Sequence, residues 1–64
     1  MSKLLRYEKL FWIKHRLGMN QREVAMKADR HYSLISKWQC YLTNSPRVEE
    51  VVEELYKQAM EKAA

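Results

Sequence analysis

Apolar positions recur along this chain at three- and four-residue intervals, interrupted by short polar stretches. Leu10, Ile13 and Leu17 stand at i, i+3, i+7, with Tyr7 joining from the preceding turn. That spacing places them on one face of an α-helix. Ser2 is positioned to cap it, so a helix is expected from about Lys3 to Leu17, closed by Gly18. Asn20 begins the next helix, with Glu23 three positions on to complete a capping box, and Val24, Ala25 and Ala28 form its apolar face. Ala28-Asp29-Arg30 is too polar and too short to be anything but a bend. Ile35, Trp38 and Leu42 then mark the inner stripe of a third helix, expected over 32–41 and closed by Tyr41-Leu42-Thr43-Asn44. Ser45 followed by Pro46 signals a fourth helix, 46–62. Its stripe is Val48, Val51, Val52, Leu55 and Ala59, widened on one flank by Tyr56 and Met60.

Composition agrees with an all-α, small four-helix domain spanning residues 1–64. Hydrophobic residues make up 47% of the chain, with one Gly and one Pro, which favours helices over many-turned strands. Sixty-four residues lie near the lower limit for a domain without disulfide or metal staples. One cysteine cannot close an intramolecular disulfide, so a reducing compartment is expected. With no membrane-length apolar run and no signal-peptide pattern, the expected location is the cytoplasm.

Charge is unevenly divided. Residues 1–47 hold ten Lys/Arg against Glu8, Glu23 and Asp29, a net of +7, whereas residues 48–64 hold two lysines against five glutamates, a net of −3. A basic body with an acidic final helix suits a domain that presents one side to nucleic acid, although a solvated surface with uneven charge has the same composition. The chain has no Gly-rich phosphate loop and no supported Ser/His/Asp or Cys/His constellation. His15, His31 and Cys40 have no metal-ligand spacing. No enzyme activity, metal or cofactor is expected.

The second and third helices carry the chemistry. Small Ala25 lies ten residues before branched Ile35, the pairing that two short helices need to cross closely. Opposite Ile35 the third helix presents Ser33, Ser36, Lys37 and Cys40, with His31 and Tyr32 at its start. Serine can donate to or accept from several base edges, and lysine favours the O6 and N7 of guanine. Tyr32 suits a phosphate or a thymine methyl, or else covers the edge of the core. Cys40 also reads as a small filler near the backbone. Gln21 sits at the start of the second helix, where free N–H groups favour a phosphate.

Gln21–Cys40 resembles the helix-turn-helix unit of repressors of the phage repressor/Cro (XRE) type. Gln21 matches the family's opening Gln, Glu23 an acidic position, Ala25 its small residue, and Ile35-Ser36-Lys37-Trp38 its "I-S-[RK]-W" run. The lead-in Leu17-Gly18-Met19-Asn20-Gln21 is also similar, and the likeness covers residues 10–46. Two positions depart from the family pattern: Asp29 stands where Gly is usual at the turn, and Arg30 where Val or Ile follows. Asp tolerates a left-handed backbone better than most residues, and Arg30 must keep its head outward.

The resemblance implies a lambda-repressor-like fold and a sequence-specific transcriptional regulator, a repressor, of double-stranded DNA. The third helix, 32–41, would read the major groove. The implied contacts are Gln21, which in the family touches the DNA backbone or supports a recognition side chain, together with His31, Tyr32, Ser33, Ser36, Lys37, Thr43 and Asn44. Proteins of this type pair on two half-sites, so a homodimer is expected. Surplus apolar surface points to Tyr56 and Met60 as the main contact, with Trp12 a second choice that could equally lie under Lys or Arg stems. No membrane or small-molecule partner is expected. The alternatives are a protein-interaction module, antitoxin- or antirepressor-like, on the same fold, and an architectural DNA-bending protein.

Overall fold

The computed structural model describes residues 5–63, and they form four helices: α1 (Arg6–Leu17), α2 (Gln21–Ala28), α3 (Tyr32–Gln39) and α4 (Pro46–Ala63). Ser2 lies outside the described residues. Helix α1 begins later than a cap at Ser2 predicts, with Leu5 at the N-cap. Leucine has no side-chain acceptor, so only half of the usual reciprocal cap forms: the Glu8 carboxylate accepts from the Leu5 N–H at 2.8 Å.

The other boundaries follow from local chemistry. Gly18 ends α1 at φ 70°, the left-handed conformation that costs glycine nothing. Asn20 accepts from the Glu23 N–H at 3.0 Å while Glu23 accepts from the Asn20 N–H at 3.2 Å, the predicted capping box. Asp29 takes the left-handed turn, φ 56°, and Arg30 N–H closes back on the Ala25 carbonyl at 2.9 Å. Arg30 is exposed and its guanidinium turns to the Asp29 carbonyl at 2.8 Å. The Ser45 hydroxyl accepts from Val48 N–H at 3.4 Å at the start of α4.

A single core joins the helices. Leu10 and Ile13 enter it from α1, Val24, Ala25 and Ala28 from α2, Ile35 and Trp38 from α3, and Val48, Val52 and Leu55 from α4. Ile13, Ile35, Val24, Val48 and Val52 are fully buried, each gaining about 1.5–3 kcal/mol from leaving water. Two predicted core residues are misplaced. Tyr7 is exposed rather than packed beside Leu10, and Leu42 stands 76% exposed, beyond the end of α3. The Lys9–Glu53 ion pair, and a hollow shared by His15, Arg16 and Lys62, set α1 and α4 side by side in the same direction. Helix α2 packs against α3 and α4, so α3 is held from behind with its other face outward.

Candidate nucleic-acid interface

The outward face of α3 is built by exclusion. Ile35 and Trp38 point into the core, so Ser33, Ser36 and Lys37 project from the opposite side, and all three are exposed. Cys40 follows as the C-cap, an exposed free thiol. His31 caps the helix, a role its sequence position does not announce. Its Nδ1 accepts from the Ser33 N–H at 3.2 Å and lies 2.9 Å from the Ser33 Oγ. The imidazole ring leans on Tyr32, centroids 4.9 Å apart.

The start of α2 lies against both ends of α3. Gln21 is half-buried, and its Nε2 donates to Gln39 Oε1 at 3.2 Å. Its side chain therefore braces α3, in keeping with the supporting role that the resemblance offers beside a backbone contact. The exposed cation at this helix start is Arg22, whose guanidinium lies 5.1 Å from the centre of the Tyr32 ring. Arg22 is not among the expected contacts, although a basic residue on the first turn after Asn20 is a usable signal.

Helix α3 ends at Gln39, two residues short of the predicted 32–41. Tyr41 adopts φ 62°, with its N–H donating to the Trp38 carbonyl at 3.1 Å and the Leu42 N–H to the Lys37 carbonyl at 2.9 Å. This is the Schellman closure, with a tyrosine where glycine is usual. The Asn44 side chain and the Thr43 carbonyl are engaged by α1. Arg6, at the start of α1, donates through Nη1 to the Trp38 carbonyl (2.9 Å) and the Thr43 carbonyl (3.2 Å), and through Nη2 to Asn44 Oδ1 (2.9 Å). Its guanidinium also lies 4.7 Å from the Trp38 ring and 4.4 Å from the Tyr41 ring. Nothing local in the sequence marks Arg6, because its partners lie 32 to 38 residues away.

A groove of about 570 Å³ runs between α1, the start of α2 and α3. Leu10, Phe11 and Met19 contribute apolar surface, and Lys14, Arg22 and Gln39 contribute polar groups. Among the described residues the ion pairs are Lys9–Glu53 and Arg47–Glu50, so Lys14, Arg22 and Lys37 keep their charge unpaired.

The residues expected to pair two copies are less available than their pattern implies. Trp12 is half-buried, with the Arg16 guanidinium 5.0 Å from its ring centre and Phe11 and His15 edge-on at 5.4 and 5.8 Å. Tyr56 packs against the core, and Met60 is half-buried in a hollow on α4 edged by Glu50, Glu53, Glu54 and Lys57. The more exposed aromatics are Tyr7 and Phe11 on α1 and Tyr41 after α3. Among the described residues no three His, Cys, Asp or Glu side chains gather as a metal site, and no helix is long and apolar enough to cross a membrane.

No family model matches this chain, and comparisons with curated proteins and with solved structures return no significant match.

Proposed function

We propose that this protein is a sequence-specific double-stranded DNA-binding regulator, a repressor of the phage repressor/Cro type, in which α3 enters the major groove. The observation that carries the reading is the exposed row Ser33, Ser36 and Lys37, mounted on a helix whose opposite side is locked into the core by Ile35 and Trp38. A rigid helix with short polar groups and one cation fits a groove about 12 Å wide. Arg22 and the capped start of α2 flank that row and suit the adjoining phosphates. The acidic α4 suits a position away from the DNA. The domain acts by binding, without catalysis or cofactor, in the cytoplasm, where a lone exposed thiol stays reduced. It pairs as a homodimer, because one recognition helix contacts too few base pairs to find a single site.

A second reading, a protein-interaction module, draws on the exposed Tyr7 and Phe11 beside the groove, apolar rings from which a phosphate backbone gains little. Selection from random duplexes at moderate salt separates the two. Enrichment of one motif supports DNA reading; recovery of unenriched sequence, or of no DNA, contradicts it.

A further inference from the structure

The pattern Ile35, Trp38, Leu42 is continuous helical spacing, yet the helix stops at Gln39 and leaves Leu42 in solvent. Continuing α3 by one turn would bring Leu42 onto the stripe with Ile35 and Trp38 and relieve Tyr41 of its left-handed backbone. That conformation is disfavoured for a bulky side chain and persists only where its surroundings enforce it. A side chain from α1 lies against it. Arg6 holds the Trp38 and Thr43 carbonyls and the Asn44 side chain, lies over the Tyr41 ring, and its own N–H donates to Tyr41 Oη at 3.3 Å.

We infer that Arg6 is a positioning residue that terminates α3 at Gln39, holding the α3–α4 connection in a preset form against a latent one-turn extension of the helix. The contacts of Arg6 with the Thr43 carbonyl, the Asn44 side chain and the Tyr41 ring require the short form. A left-handed Tyr41 and an Asn44 within reach of α1 would both be lost if residues 40–42 became helical. The inference rests on the proposed DNA reading only for its consequence: the end of α3 fixes how Lys37 and Cys40 approach the groove, so Arg6 sets affinity without touching DNA.

The test is nuclear magnetic resonance of the parent chain with Arg6→Ala, Arg6→Lys and Tyr41→Gly. Arg6→Ala is expected to give residues 40–42 helical backbone shifts, with Leu42 N–H now bonded to the Trp38 carbonyl. Arg6→Lys should behave alike, since the donors of an ammonium sit on one nitrogen and cannot reproduce the planar two-nitrogen fork that spans these acceptors and lies over the Tyr41 ring. Glycine is at ease in the left-handed region, so Arg6→Ala combined with Tyr41→Gly should restore the stop at Gln39. Loss of order at 40–42 without helical shifts, unchanged shifts in Arg6→Ala, or helical shifts in the double variant would each overturn the inference. If Arg6→Ala alone does not fold, the comparison of Tyr41→Gly with the double variant decides. On a selected duplex, Arg6→Ala or, failing that, Arg6→Lys should bind about tenfold more weakly with an unchanged salt slope. A slope reduced by about one would make Arg6 a phosphate contact and remove the positioning role. A parent that binds no duplex would overturn the DNA reading, while the backbone shifts would still decide the termination of α3.

Discussion

The side-chain amide of Gln21 donates to that of Gln39 at 3.2 Å, joining the first residue of α2 to the last residue of α3. Two helices of eight residues each are thereby tied at a point beyond their shared apolar contact. A part-buried neutral hydrogen bond of this kind contributes about 0.5–1.5 kcal/mol. Gln21→Ala should lower stability by that amount and leave Gln39 unpartnered, so that adding Gln39→Ala costs little more. A denaturant double-mutant cycle checks the coupling. Fully additive losses would show that the pair does not brace α3.

Ala25 is buried in the α2 face, 2% exposed beside Val24 and Ala28. Ala25→Leu should cost about 1–3 kcal/mol by overpacking. In a domain with only ~3–5 kcal/mol in hand, that is enough to lower the melting temperature sharply. A melt matching the parent would mean that α2 has room at Ala25 that the core does not show.

His31 caps α3 through a ring nitrogen, so a residue with an equivalent acceptor should replace it. His31→Asn is expected to keep or raise stability, whereas His31→Ala should lose about 1 kcal/mol. Thermal melts of the pair check this. Equal stability of both variants would remove the capping role.

Pairing through α4 can be tested without disturbing the core, because Met60 is only half-buried while Tyr56 packs inward. Met60→Glu should give a folded monomer by sedimentation, with helicity kept and DNA affinity reduced. A parent that is already monomeric at tens of micromolar, and remains so on its duplex, would contradict a homodimer; Kd values in that range correspond to only about 6–7 kcal/mol.

Local signals in the sequence located most of the fold. The Asn20/Glu23 cap, Gly18, the left-handed Asp29 and the α4 stripe each depend on neighbours within a few positions, and all stand where the pattern puts them. The outward placement of Ser33, Ser36 and Lys37 was legible for the same reason, since Ile35 and Trp38 fix which side of α3 is inner. The misplacements have long-range causes. Leu42 fits the helical spacing, but the α3 exit is held by Arg6 from the other end of the domain. Asn44 reads as a free polar group for the same reason, since its side chain is held by Arg6. Tyr7 fits the α1 stripe by spacing, yet it lies outside the core, beside the groove between α1, α2 and α3.

The central claim is that the exposed face of α3 reads bases, and Lys37 is its one cation. The most direct measurement is the affinity of Lys37→Ala for a selected duplex and for a scrambled one, each across a range of salt. Base reading predicts a loss of about 1–3 kcal/mol on the selected duplex, relaxed preference at one position, and little change on the scrambled DNA. An equal loss on both duplexes, with the salt slope reduced by about one, would make Lys37 a phosphate contact and contradict the account.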